Sequence, residues 1–236
     1  MDAHLGSGAM FDGIAPRYDL LNRLMSLGTD RLWRRRLVEV LAPESGQRIL
    51  DLATGTGDVA LEVLRQQPQA KVIGLDPSRA MLLIGRAKVA RRKWGGAIQL
   101  LEGDAQRIPF PDRSFDGVTM AFGIRNVLDR PAALAEMVRV TRPGGRVCVL
   151  ELGEPPENWK GRMARFHVHR VVPRMGALLS SGREYLYLQD SIARFPAPGE
   201  FVKQMAAAGL AVDAPLALSF GSVHLFTGRV PQGAVA

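Results

Sequence analysis

The chain has 236 residues, of which 47% are hydrophobic and 23% charged, so it can bury a sizeable core and has the composition of a globular rather than a disordered protein. It has no apolar run near the roughly 20 residues that a membrane-spanning helix needs. The N-terminus also lacks the features of a secretion signal, and we therefore expect a cytoplasmic location. The net charge of +8 permits nucleic acid, an anionic membrane or an acidic substrate as a partner, without choosing among them.

Hydrophobic periodicity predicts an N-terminal helical segment over about residues 10–42, with a break near Gly28. Short apolar runs then alternate with segments of helical periodicity. The predicted strands are 48–53, 71–76, 98–103, 115–122 and 146–152, and the predicted helices between them are 58–67, 78–92 and 131–141. Such alternation indicates a parallel sheet with helices on both faces.

The C-terminal part departs from this alternation. Helices are predicted at 158–172, 184–194 and 198–208, and strands at 210–218 and 223–230. A helical insertion over about 153–197 would lie at the carboxyl edge of the sheet, where ligands bind in such folds. We therefore predict a single domain over 1–236. Its fold would be α/β, with a Rossmann-like, seven-stranded, mostly parallel sheet, a C-terminal antiparallel hairpin and helices on both faces.

A glycine-rich loop follows the first predicted strand, in the segment DLATGTGD at 51–58. Gly55 and Gly57, with Asp76 about 20 residues later, match the dinucleotide-binding fingerprint, although a lone match of this kind is weak evidence. The acidic residues of the segment argue against a dinucleotide. Asp51 and Asp58 about 5 Å from a pyrophosphate would repel it by several kcal/mol.

S-adenosylmethionine fits these acidic residues better, because it has no phosphate and brings a sulfonium and an ammonium group. Asp76, at the end of the second strand, is placed for the ribose hydroxyls. Asp104, at the end of the third, is placed for the adenine amino group, with Ala105 beside it. Each aspartate alone is also typical of a helix cap or a turn. Three of them at strand ends favour a ligand site.

Several motifs resemble known families. The segments LDLATGTGD (50–58), PFPDRSFD (109–116) and RPGG (142–145) resemble motifs of the class I S-adenosylmethionine-dependent methyltransferases. More specific segments resemble the menaquinone/ubiquinone biosynthesis C-methyltransferases: FDGIAPRYDLLN (11–22), RLWR (31–34), FGIRNVLD (122–129), VPRMG (172–176) and YLYLQDSI (185–192). This resemblance covers about residues 10–230.

The resemblance implies an enzyme that uses S-adenosylmethionine to methylate a ring carbon of a demethylated, prenylated quinol: demethylmenaquinol or a ubiquinone precursor. The candidate cofactor-binding residues are Tyr18, Asp51, Gly55, Thr56, Gly57, Asp58, Asp76, Met81, Asp104, Ala105 and Ala121. Ala121 stands where some members have a serine.

The ring carbon becomes nucleophilic when the phenol ionises. Arg125 is the candidate that stabilises the phenolate, and Asn126 the candidate that holds the substrate oxygen or orients a water. The alternative is that both belong to a surface turn. The general base is left open among Tyr18, Tyr185, His167 and His169, and no metal site is expected.

The segment 158–179 combines basic and apolar residues. It fits a lid that rests on anionic lipid at the membrane surface, or a helix that packs on the sheet with its arginines in solvent. Three other functions compete: methylation of another phenolic or lipidic small molecule, nucleic-acid binding, and nicotinamide-dependent oxidoreduction. With no appended RNA-binding domain, we expect no nucleic-acid partner. The sequence leaves the oligomeric state open, a homodimer included.

Overall fold

Two helices precede the sheet in the computed structural model, which describes residues 8–154 and 182–233. Helix α1 spans Gly8–Met25 and α2 spans Asp30–Leu41. The turn between them contains Gly28 with a φ of 78°, a conformation that glycine adopts without strain. The predicted N-terminal helical segment and its break are therefore present.

Strands and helices then alternate along the chain. The elements are β1 (Arg48–Leu52), α3 (Asp58–Gln66), β2 (Lys71–Asp76), α4 (Arg79–Arg91), β3 (Ile98–Glu102), β4 (Phe115–Ala121), α5 (Arg130–Val140) and β5 (Thr141–Leu152). After the segment 155–181 come α6 (Gly182–Ala193), α7 (Pro198–Ala207), β6 (Ala211–Val212), β7 (Leu216–Leu218) and β8 (Val223–Arg229).

The described strands form one sheet in the order β3-β2-β1-β4-β5-β8-β6, and β7 also pairs with β8. The strands from β1 to β5 run parallel, whereas β8 is antiparallel to β5, β6 and β7. The chain moves outward from β1 to β3 on one side and returns to the other side with β4. This reversal beside β1 is the switch point at which open α/β sheets bind ligands.

The predicted fold class is confirmed, and two strand boundaries differ in detail. The strand predicted over 210–218 is divided into β6 and β7, with Pro215 between them, so the sheet has eight strands in the described residues. Strand β5 begins at Thr141 instead of Arg146. The pairing shifts there from Phe115 with Thr141 to Gly117 with Arg146, so the strand has an irregularity between these two pairs.

Alternating side chains of the central strands enter two hydrophobic layers, one on each face of the sheet. Val147 and Val149 of β5 face the layer that contains Phe201. Cys148 faces the opposite layer, which includes Leu37 of α2. Burial raises the pKa of the Cys148 thiol to about 12, so this side chain serves as a neutral core residue.

Most of the predicted insertion over 153–197, including the helix predicted at 158–172, lies outside the described residues. Its C-terminal end is α6, which matches the predicted helix 184–194. Of the helices that the structure describes, none combines the length and the apolar character needed to cross a membrane.

Candidate active site

A cleft opens at the carboxyl ends of strands β1 to β4, beside the switch point. It encloses about 820 Å³, counting the part that is open to solvent. Its described lining is Tyr18, Ala53, Gly55, Asp76, Pro77, Met81, Gly103, Asp104, Ala105, Gln106, Met120, Ala121, Phe122, Gly123, Asn126, Val127 and Leu128. This lining carries two carboxylates and no lysine or arginine, so its charge favours a cationic ligand.

Eight residues predicted from the sequence line this cleft: Tyr18, Gly55, Asp76, Met81, Asp104, Ala105, Ala121 and Asn126. The lining residues that sequence reasoning missed are mostly chain neighbours of these eight, so proximity to a strand end was an available signal. Gly123 is one of them. A Cβ there would come within 2.5 Å of the Ala53 Cβ, which explains why the two loops can approach so closely only with glycine at this position.

Asp76 at the end of β2 holds the glycine-rich loop. One carboxylate oxygen accepts a hydrogen bond from the Gly55 N–H at 2.7 Å, and the other accepts from the Ser78 N–H at 2.8 Å. Burial raises the pKa of Asp76 to about 6, although these two N–H groups act in the opposite direction. Since each carboxylate oxygen can accept more than one hydrogen bond, the group retains acceptor capacity toward the cleft.

Asp51, by contrast, lies beneath the loop and does not line the cleft. It is 1% exposed, and its carboxylate accepts from the hydroxyls of Thr54 at 2.6 Å and Thr119 at 2.8 Å. Burial raises its pKa to about 6, while the two hydroxyls lower it. In this structure Asp51 has a supporting role, because it ties the loop after β1 to strand β4.

Asp104 is held from one side by Gln106, which sequence reasoning missed. The Asp104 carboxylate accepts from the Gln106 backbone N–H at 2.9 Å and from its side-chain amide at 3.0 and 3.1 Å. The side-chain oxygen of Gln106 (Oε1) in turn accepts from the Asp129 backbone N–H at 2.9 Å. The loops after β3 and β4 are thereby joined at the cleft.

The predicted residues Thr56, Gly57 and Asp58 do not line the cleft either. Gly57 has a φ of 81° and begins α3, so its role is the turn itself. The Thr56 hydroxyl and the Asp58 carboxylate both bond to the Lys88 ammonium group of α4, each at 2.7 Å. Their partners in this structure are therefore protein groups, and their predicted contacts with a cofactor stay predictions.

Lys88 also fastens the N-terminal helix over this loop. Its ammonium group lies 2.5 Å from the Asp19 carboxylate of α1, and the other Asp19 oxygen accepts from the Thr56 hydroxyl at 2.7 Å. Burial acts to raise the pKa of Asp58, but the cations Arg34 and Lys88 outweigh it and the pKa lies below its ordinary value.

A second contact of α1 lies about two turns from Asp19, toward the N-terminus of the helix. Asp12 accepts from the Ser78 hydroxyl at 2.6 Å and from the Ala80 N–H at 3.2 Å, at the beginning of α4. Tyr18 lies between Asp12 and Asp19 in the chain and forms part of the cleft wall. Helix α1 is thus attached to the rest of the protein on both sides of Tyr18, the residue that it contributes to the cleft wall.

Arg125 is the predicted catalytic residue that the structure places away from the cleft lining. Its guanidinium group lies 2.5 Å from the carboxylate of Glu151, which is 0% exposed, and donates to the Phe122 carbonyl at 2.8 Å. Its Nε donates to the Ser191 hydroxyl of α6 at 3.3 Å. The charge of Arg125 is therefore already neutralised by a buried partner.

Asn126, the next residue, does line the cleft. Residues Ile124–Asn126 form a single 3-10 turn, which lets adjacent side chains point to different partners. The Asn126 Oδ1 accepts a hydrogen bond from the Tyr187 hydroxyl of α6 at 3.2 Å. Asn126 thus presents its side-chain amide to the cleft, and the same amide is in contact with α6 through Tyr187.

Of the candidate general bases, Tyr18 lines the cleft. His167, His169 and the side chain of Tyr185 lie outside what the structure describes. Within residues 8–154 and 182–233, no group of three His, Cys, Asp or Glu side chains is arranged to hold a metal ion.

This strand order, with a glycine-rich loop after β1 and a carboxylate at the end of β2, defines a class I methyltransferase fold. A crystal structure of an S-adenosylmethionine-dependent methyltransferase from Aquifex aeolicus is similar to it, with a TM-score of 0.65 at 16% sequence identity, over 90% of this chain and 97% of that chain.

Sequence comparison gives the family. The model of the ubiE/COQ5 methyltransferase family matches residues 4–229. The ubiquinone/menaquinone biosynthesis C-methyltransferase UbiE of Geobacter sulfurreducens is 47% identical over 93% of this chain and 86% of its own length. The demethylmenaquinone methyltransferase of Thermus thermophilus is 48% identical over 94% of this chain and 100% of its own length. The chain belongs to the ubiE/COQ5 methyltransferase family, as the sequence motifs predicted.

Replacement of Lys88 tests the attachment of α1. We expect Lys88→Met to speed amide hydrogen exchange in residues 8–25 by about tenfold, because Asp19 and Asp58 lose their shared cation. Lys203→Met is the matched control, since Lys203 is 77% exposed at the surface of α7. Equal exchange in α1 for the two variants would show that Lys88 does not hold the helix.

Proposed function

We propose that this protein transfers the methyl group of S-adenosylmethionine to a ring carbon of a demethylated quinol, such as demethylmenaquinol. The observation that carries the proposal is the charge of the cleft, with Asp76 and Asp104 on its wall and no basic residue in its described lining. Such a cleft suits a sulfonium and disfavours a pyrophosphate. The names of the two relatives supply the substrate class.

The cleft residues fit the donor in chemistry and position. Asp76 is proposed to accept from the ribose hydroxyls and Asp104 from the adenine amino group, while Gly55 permits close approach of the backbone. Met81, Ala105 and Ala121 supply apolar contacts. When bound, S-adenosylmethionine supplies an electrophilic methyl group.

The acceptor requires a different set of groups. A free phenol has a pKa near 10, so a site that lowers this value increases the fraction of reactive phenolate at neutral pH. We propose that Asn126 contacts the substrate oxygen, and that Arg125 anchors the turn through Glu151 instead of meeting the phenolate itself. Phe122 and Val127, beside Asn126 in the lining, suit an apolar aromatic ring.

The membrane contact predicted for residues 158–179 also stays a proposal. It rests on the sequence alone, in which Lys160, Arg162, Arg165, Arg170 and Arg174 alternate with apolar residues. We expect the protein to co-sediment with vesicles that contain anionic lipid, and this binding to weaken as the salt concentration rises. Equal binding to neutral vesicles would contradict an electrostatic contact.

The activity is tested with labelled S-adenosylmethionine and a short-tailed demethylmenaquinol kept in the reduced state. We expect label in the extracted quinone with the wild-type protein, and a loss of at least about tenfold with Asn126→Ala at unchanged donor affinity. Asp190→Ala, on the exposed side of α6, is the control. Donor binding without labelled product, with a demethylated ubiquinone precursor tried as well, would overturn the quinol assignment and redirect the search to other phenols.

Donor binding should release protons near pH 6. Asp51 and Asp76 each have a pKa of about 6 in the ligand-free protein, and a nearby cation favours their ionised forms. Donor binding would then lower the pKa of each carboxyl group. The affinity for the donor should therefore rise about tenfold per group between pH 5 and pH 7. Titration calorimetry in two buffers of different ionisation enthalpy measures the release. S-adenosylhomocysteine, which lacks the sulfonium charge, should release fewer protons, and equal release would contradict the assignment.

A further inference from the structure

Helix α6 meets the turn at 124–126 through two side chains that lie one helical turn apart, Tyr187 and Ser191. Ser191 is 3% exposed; its hydroxyl accepts from Arg125 Nε and donates to the Leu188 carbonyl at 2.9 Å. Because Arg125 is itself fixed by Glu151, this contact sets the position of the helix. Tyr187 therefore contacts Asn126 from a helix whose position is fixed.

The hydrogen bond from Tyr187 determines which end of the Asn126 amide faces the cleft. An asparagine side chain has an oxygen that accepts and an NH₂ group that donates two protons. The oxygen is occupied by the Tyr187 hydroxyl at 3.2 Å, and the described residues supply no acceptor for Nδ2. The amide therefore has its donor end available, which is the end that a negatively charged oxygen requires.

We propose that Tyr187 is a positioning residue for the acceptor: it orients Asn126 so that the Nδ2–H group donates to the phenolic oxygen of the substrate. The inference rests on the proposed function and deepens it, since it assigns the lowering of the phenol pKa to a neutral amide rather than to Arg125. A bound phenolate is then stabilised by a donor that is fixed before the substrate arrives.

Other ionisable groups surround this point and are the same in every variant below. The cleft lining contributes Tyr18 from α1, Asp76 from β2 and Asp104 from the loop after β3. The Arg125–Glu151 ion pair lies behind Asn126, at the end of β5. A difference between the wild type and a Tyr187 variant therefore isolates the Tyr187–Asn126 contact.

The test is Tyr187→Phe, which keeps the ring and removes the hydroxyl. We expect kcat at neutral pH to fall about tenfold, and the apparent pKa of the kcat profile to rise by about one unit, since a factor of ten corresponds to one pKa unit. The rates of the variant and the wild type should converge at high pH, where the phenol ionises without help. The KM for S-adenosylmethionine should stay the same.

A purely structural role would give a different result. If Tyr187 only docks α6, its loss would lower kcat by one factor at every pH. In the double variant Tyr187→Phe/Asn126→Ala, the pKa should not rise beyond that of Asn126→Ala, because both changes remove the same donor. A pH-independent loss, or fully additive effects, would overturn the proposal.

A binding measurement separates this inference from the proposed activity. The probe is 4-nitro-1-naphthol, whose phenolate absorbs visible light, so its pKa can be read in the bound state without any methyl transfer. The wild type should lower that pKa relative to free solution, and Tyr187→Phe should return it by about one unit. A lowered, Tyr187-dependent pKa without quinol methylation would leave the inference standing and overturn only the quinol assignment. No pKa change in the wild type would overturn the inference.

Discussion

Buried carboxylates at the carboxyl ends of the parallel strands hold the active-site loops in place. Asp76 binds the backbone of the glycine-rich loop, Asp51 ties that loop to β4, and Glu151 fixes the turn after β4 through Arg125. A loop has few internal hydrogen bonds of its own, so it keeps one shape only when such partners satisfy its backbone and polar groups. The cleft therefore depends on these carboxylates as much as on the strands.

These three buried acids differ in how their charge is balanced. Asp51 and Asp76 are held by neutral hydroxyl or backbone N–H groups, and their raised pKa values record the cost of burial. Glu151 is balanced by the full charge of Arg125. One side of the cleft thus favours a positive ligand, while the other presents a neutral amide at Asn126. This division matches a reaction between a cationic donor and an anionic acceptor.

Much of the fold was predictable because strands and helices alternate with distinct periodicities. Eight candidate site residues line the cleft; most follow strand ends, whereas Tyr18 on α1 came from the family resemblance. The role of Asp51 was not predictable, because it depends on the register that pairs Asp51 with Thr119, a residue far away in the sequence. The partners of Lys88 were not predictable either, because they too are far from it in the sequence. The division of roles between Arg125 and Asn126 required side-chain directions within one 3-10 turn, which the order of residues does not give.

The single cysteine has a consequence for how this protein can be studied. Cys148 is completely buried in the middle of the sheet, and its thiol has a pKa of about 12, so the reactive thiolate is almost absent in the folded state. An alkylating reagent can reach the sulfur only after the hydrophobic layer over its face of the sheet, which includes Leu37 of α2, has opened. The rate of labelling therefore reports the opening of the core on this face of the sheet, and movements of α1 or α6 over the cleft leave it unchanged. Cys148 is therefore a built-in probe of the stability of this layer.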